Sequence, residues 1–185
     1  INYLTNTFHS VDWDRVSFKV GIGGGSVCTT RVVTGCGIPT LQSVLDIRRA
    51  GIKHNLIADG GIKNSGDIMK ALAAGANSVM IGRLLAGTSY SPKVTDSEGN
   101  LLYYGSASDR QKSTPSYIEG EKVVVGAFLD DNMDTGLVMR SLVEGIQSGL
   151  SYVGCSSLEE LHRDPPQFVE ITGSGWRESL PHGKL

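Results

Sequence analysis

Residues 21–31 gather several chemical groups in one short stretch. Gly21-Ile22-Gly23-Gly24-Gly25 can turn tightly and expose amide N–H groups, Ser26 adds a hydroxyl, and Cys28-Thr29-Thr30 adds a thiol with two neighbouring hydroxyls. A thiol beside exposed amides is the makeup of a nucleophile next to an anion cradle. Thr30, two residues beyond Cys28, can relay a proton to or from a leaving group if a base lies close. The same residues also suit a glycine-rich turn around an inert buried cysteine, with Thr30 stabilising the turn. A second candidate is Asp59, which follows the run Asn55-Leu56-Ile57-Ala58 and precedes Gly60-Gly61. A carboxylate accepts both hydroxyls of a ribose, and adjacent glycines let the backbone approach a phosphate. A turn or N-cap aspartate is the plainer reading.

The elements that must position these groups follow from periodicity. Phe18-Lys19-Val20, Asn55–Ala58 and Ser78–Ile81 read as short buried strands, each ending in glycine-bearing residues. Thr40–Ala50 carries Leu41, Val44, Leu45 and Ile47 at helical spacing, with Thr40 as N-cap and Gly51 as stop. Ser65–Ala74 reads as a second amphipathic helix, capped by Ser65 and ended by Gly75. Strands alternating with helices through short links predict parallel βα units, which put chemistry at strand carboxyl ends. From Thr88 the pattern changes. Ser91–Asn100 is polar and turn-rich, so residues 88–104 predict a hairpin or finger turning at Glu98-Gly99-Asn100. Ser106–Ser116 is polar without periodicity and predicts a mobile segment, so 88–125 reads as a finger-and-flap insertion. Val123–Val125 predicts a strand, Thr135–Ser148 a helix, Leu158–Arg163 a short last helix, and 173–185 a frayed tail.

The composition narrows the classes. A chain of 185 residues with net charge −2 can build one domain with a sizeable core and shows no basic footprint for nucleic acid. No stretch approaches the ~18 apolar residues of a membrane span, and Ile1–Ser10 has no signal-peptide pattern. Cys28, Cys36 and Cys155 are an odd count without close pairing, which argues against a disulfide framework and for a reducing, cytoplasmic compartment. The four scattered histidines read as surface or packing residues.

Gly21–Arg31 resembles the catalytic loop shared by inosine monophosphate dehydrogenases and guanosine monophosphate reductases, which usually reads close to GIGPGSxCTTR; Gly24 replaces the proline. The resemblance continues through Ile57–Ile62, Val79–Gly82 and Leu102–Gly105, and through Tyr152-Val153-Gly154 with Leu158 and Leu161, covering about residues 18–172 in one order. It implies a (β/α)8 TIM barrel of which this chain carries strands 6–8, the finger and flap, and the C-terminal helices. The first five strands are then expected from a missing N-terminal half. Cys28 matches the thiolate that attacks C2 of the purine, forming a covalent adduct coupled to hydride transfer with a nicotinamide. Thr30 matches a catalytic threonine and Ser26 the phosphate-contacting serine. Gly23, Gly25 and Cys28 match backbone carbonyls that hold a monovalent cation, K⁺. Asp59 matches the ribose acceptor. Gly61, Gly82 and Arg83 match the phosphate-site backbone, with Arg83 departing from the usual Ser or Gly. Tyr103-Tyr104-Gly105 matches the segment reaching phosphate and base, while Ser106 and Ala107 depart from the residues expected next. The resemblance further implies a purine nucleoside monophosphate substrate and a square homotetramer.

The two activities differ downstream. A dehydrogenase hydrolyses its adduct with a long flap carrying an Arg-Tyr pair, yet only 13 residues separate Gly105 from Glu119 here and no Arg-Tyr dipeptide occurs. Glu119-Gly120 matches the reductase pair, and Glu119 beside Thr30 would protonate the departing amine. Ser116 stands where an arginine usually holds the purine. The sequence therefore points to NADPH-dependent conversion of GMP to IMP and ammonia. The alternatives are a short-flap dehydrogenase using NAD and a non-catalytic nucleotide-binding fragment.

Overall fold

The computed structural model describes residues 11–105, the backbone of 122–124, and 133–181. Its centre is a three-stranded parallel sheet of β1 (Ser17–Val20), β2 (Asn55–Asp59) and β3 (Ser78–Met80), in the order β1-β2-β3. The register is Lys19↔Ile57 and Val20↔Ala58 on one side of β2, and Asp59↔Met80 on the other. Between β1 and β2 lie α1 (Thr30–Thr34) and α2 (Thr40–Arg49); α3 (Ser65–Ala73) joins β2 to β3. These are the expected parallel βα units.

The strands alternate rather than being buried throughout. Phe18, Val20, Leu56, Ala58 and Val79 pack with α2 and α3, and Leu56 and Val44 are wholly buried. Each such side chain contributes about 1.5–3 kcal/mol. Ser17, Lys19, Asn55, Ile57, Asp59, Ser78 and Met80 project from the opposite face, which no described helix covers. Helices on one face produce this one-sided burial.

Two expected caps are corrected. Pro39 occupies the N-cap position of α2, and the Thr40 hydroxyl donates instead to the Asp59 carbonyl at 3.2 Å. Asn64, not Ser65, caps α3, its side chain accepting from Asp67 N–H at 2.9 Å. Ser65 is drawn into helix packing: it lies against Gly145, and Met69 against Gly149, on the long helix α4 (Thr135–Tyr152). Leu142 of α4 joins Ile68, Leu72 and Leu161 in a second cluster, with Leu161 coming from α5 (Leu158–Arg163).

Arg48 closes the bottom of the sheet. Its guanidinium donates to the carbonyls of Gly75, Ile52 and His54 and to Asn77 Oδ1, which in turn accepts Leu56 N–H. Burial lowers its pKa from the ordinary arginine value.

The finger exists, with its turn spanning Asp96–Asn100. Thr95 bridges Leu101, and Asp96 Oδ1 accepts the N–H groups of Glu98 and Asn100. Beyond it, β4 (Leu102–Tyr104) pairs antiparallel with β5 (Lys122–Val124), the strand expected near Val123. The expected mobile stretch 106–116 lies outside the described residues. The tail is more ordered than expected: Gly173–Glu178 forms α6, whose Thr172 cap accepts Gly175 N–H at 3.1 Å.

Candidate functional site

Each chemically interesting loop leaves the carboxyl end of a sheet strand. The Cys28 loop follows β1, Asp59-Gly60-Gly61 ends β2, and Gly82-Arg83 follows β3. The first two touch backbone to backbone. Gly60 has φ +97°, and a Cβ there would run into the carbonyl of Gly24. Only glycine allows both that conformation and that approach.

Within the first loop, Cys28 N–H donates to the Gly25 carbonyl at 3.3 Å, closing the turn that holds Ser26 outward. Cys28 Sγ donates to Thr30 Oγ1 at 3.2 Å, and both residues are half-buried. Thr29 occupies the N-cap position of the short helix α1 without a side-chain cap bond, so Cys28 and Thr30 sit at a loop-to-helix junction. Arg31 holds the loop from behind. Its chain fills the space in front of Gly23 and Gly37, and Nη2 donates to the Ile38 carbonyl at 2.9 Å. Ile38 N–H in turn donates to Ile22 O, pinning the two ends of the loop together.

Asp59 is held at both ends. Thr40 engages its backbone carbonyl, and Lys19 Nζ donates to its Oδ2 at 2.7 Å. Gly61 is exposed, and a Cβ there would meet nothing within 4 Å, leaving open space before its backbone. Gly82 begins a 3-10 turn, Arg83–Leu85; Arg83 is exposed, and the Tyr103 hydroxyl lies against Gly82. Tyr104 ends β4 and Gly105 follows it, both half-buried. Ser26, Cys28, Thr30, Asp59 and Gly61 thus come from two loops in contact. Gly82, Arg83, Tyr104 and Gly105 form an adjoining group, linked through the β2–β3 register and Tyr103. Glu119 lies outside the described residues.

Among the described residues no group of His, Cys, Asp or Glu is arranged to hold a metal ion. The backbone carbonyls of Gly23, Gly25 and Cys28 are neutral oxygens, a donor type that can serve a monovalent cation. Gly25 O already accepts one hydrogen bond, which leaves its second lone pair for a cation.

Lys19, Thr40 and Arg31 are the contributors that sequence reasoning missed; Tyr103 already stood in the matched segment Tyr103-Tyr104-Gly105. Arg31 stood inside the matched motif. Lys19 lies two residues before Gly21 and meets Asp59 only across the strand pair.

Fold and site together define a segment of a (β/α)8 barrel with a thiol-bearing glycine loop at the carboxyl end of its sheet. The model of the IMP dehydrogenase / GMP reductase domain matches residues 6–182. The chain belongs to that family of purine nucleotide oxidoreductases. It is 44% identical over 184 residues to inosine-5′-monophosphate dehydrogenase of Halalkalibacterium halodurans, and 42% over 184 residues to that of Bacillus subtilis. Each match covers 89% of this chain and 36% of the relative. Among solved structures, a GMP reductase from Trypanosoma brucei in complex with guanosine 5′-monophosphate matches with TM-score 0.74 and 38% identity, over 90% of this chain and 36% of that one. The chain therefore spans about a third of the length of these relatives.

Proposed function

We propose that this chain carries the nucleophile and nucleotide-phosphate loops of a GMP reductase, which converts GMP to IMP and ammonia at the expense of NADPH. The observation that carries the reading is the 3.2 Å contact of Cys28 Sγ with Thr30 Oγ1, on a loop packed against Asp59-Gly60-Gly61. In this reading Asp59 accepts the ribose hydroxyls. Ser26 and the backbone of Gly61, Gly82 and Arg83 bind the phosphate, and Tyr104-Gly105 border phosphate and base. Cys28 Sγ attacks C2 of the purine and forms a C–S bond. Thr30 passes a proton from Glu119 to the exocyclic amine, so the C2–N bond breaks and ammonia leaves. The nicotinamide dinucleotide, a second substrate, supplies the hydride to C2, and the C–S bond then breaks to return the thiolate. Gly23, Gly25 and Cys28 carbonyls would hold K⁺, whose charge would brace the loop.

The short stretch between Gly105 and Glu119, without an Arg-Tyr pair, supports reductase over dehydrogenase. The GMP-bound reductase structure supports the nucleotide class. Oxidation of IMP to XMP with NAD is the second reading, favoured by the 39–44% identity to IMP dehydrogenases. Either activity uses a barrel completed by an N-terminal half, in a homotetramer. The free thiols of Cys28, Cys36 and Cys155 suit a reducing cytoplasm.

The test follows reduced-nicotinamide absorbance in the intact protein, with Cys28→Ala as control. Cys28-dependent loss of absorbance with GMP and NADPH, accompanied by ammonia, is the expected result. A gain with IMP and NAD would replace the reductase by the dehydrogenase.

A further inference from the structure

We propose that Lys19 is a positioning residue for the sugar subsite: it aims the Asp59 carboxylate at the ribose hydroxyls and sets the preference for ribonucleotides over 2′-deoxyribonucleotides. The inference rests on the nucleotide-binding reading above and adds a residue that this reading does not use.

The geometry is specific. Lys19 and Asp59 occupy neighbouring parallel strands and project from the face that no described helix covers. Lys19 Nζ meets Asp59 Oδ2 at 2.7 Å, with the two side chains 57% and 29% exposed. In this segment alone, an ion pair this exposed contributes little to folding, because water screens it. Its position is nevertheless fixed. Gly21, two residues after Lys19, packs on the Asp59 carbonyl, and Thr40 donates to that same carbonyl. Backbone and carboxylate of Asp59 are therefore gripped separately.

The chemistry suits a vicinal diol. With Oδ2 engaged by the ammonium, Oδ1 is left to accept a sugar hydroxyl. The ammonium, a three-proton donor, can donate to the oxygen of that hydroxyl or its neighbour. Donor and acceptor side by side complement two hydroxyls, each of which both donates and accepts. A sugar lacking the 2′-hydroxyl leaves part of this arrangement unused, so the cost of losing Lys19 falls mainly on the ribonucleotide.

The test compares wild type, Lys19→Met and Lys19→Arg in the intact protein, with calorimetric binding of GMP and 2′-deoxy-GMP and steady-state kinetics. Lys19→Met is expected to weaken GMP about tenfold and 2′-deoxy-GMP less than about twofold, the size of one lost charge-assisted hydrogen bond. KM should rise with kcat nearly unchanged, the mark of lost uniform binding. Lys19→Arg keeps a donor cation and should recover most of the GMP affinity. Equal weakening of both nucleotides, an unchanged ratio, or a failure of arginine to rescue would overturn the proposal. If wild type binds neither GMP nor IMP, the nucleotide reading itself fails and takes this proposal with it. If wild type binds GMP with a ribose preference that survives Lys19→Met, only the role of Lys19 is lost.

Discussion

Gly60 packs its α-carbon against the carbonyl of Gly24, and this contact joins the thiol loop after β1 to the aspartate loop after β2. A methyl group at Gly60 would collide with backbone, which cannot rotate away, and φ there is +97°. Gly60→Ala should therefore push the loops apart, weakening GMP or IMP binding at least about tenfold and destabilising the fold by about 1–3 kcal/mol. Gly51→Ala is the control. Its φ is +77°, with nothing within 4 Å of the added methyl, so it shares the backbone penalty but not the collision. Calorimetry and thermal melting of both variants decide the matter. Equal nucleotide affinity in the two would remove the loop contact from the account of binding.

Thr30 offers a test of proton relay rather than of folding. Its hydroxyl is 3.2 Å from Cys28 Sγ at the first turn of α1. Thr30→Val keeps the shape and the β-branch but removes the hydroxyl. It should lower kcat about 100-fold, in the range of general acid–base contributions, with little change in KM. Thr30→Ser should restore most of the rate. A valine variant with undiminished kcat would leave the hydroxyl without a chemical part.

Much of this was legible in the chain. The three parallel strands and the helices that join them follow from apolar periodicity and from glycines placed at strand ends, both local signals. The loop residues Ser26, Cys28 and Thr30 and the Asp59-Gly60-Gly61 turn stood out by residue type beside glycines, but the roles expected of them came from the family resemblance. The caps were not legible: Thr40 sits where a cap-forming hydroxyl is expected, yet its Oγ1 is drawn 19 residues along the chain to Asp59 O. Ser65 loses its cap to Asn64 because its small side chain is what lets α3 approach Gly145 of α4. Neither fact is visible without the tertiary contact. Lys19 escaped notice because strand alternation alone does not reveal which carboxylate stands on the next strand. The Gly24 departure also gains a physical setting. A Cβ there would come within 2.8 Å of Thr40 Oγ1, so the missing side chain leaves room for the hydroxyl that anchors Asp59.

Arg48 predicts a stability effect remote from the site. Its half-buried guanidinium satisfies the carbonyls of Gly75, Ile52 and His54, and no carboxylate takes part in these bonds. Arg48→Met keeps most of the aliphatic stem but leaves those carbonyls and Asn77 short of donors. The expected loss is about 2–3 kcal/mol in denaturant unfolding. Arg48→Lys should recover only part of it, since a single ammonium cannot span the same fork of acceptors. A methionine variant as stable as wild type would show that water replaces the guanidinium at no cost.

Glu160 supplies the pH-dependent case. Ser157 caps α5 by accepting Glu160 N–H at 3.2 Å, and Glu160 Oε2 accepts the N–H and hydroxyl of Ser156, each at 2.7 Å. The backbone N–H of Ser156 and then its hydroxyl hold the Glu160 carboxyl below its ordinary value of 4.5. These bonds favour the ionised form, so their contribution to stability is present above the unfolded value and is lost as pH falls through the lower folded one. Ser156→Ala removes only the hydroxyl, the smaller of the two contributions from Ser156. The Glu160 pKa followed by carboxyl-carbon NMR should rise part of the way toward 4.5, and the end of α5 should fray at a higher pH than in wild type. An unchanged titration curve in the alanine variant would leave the Ser156 hydroxyl without a part in the shift.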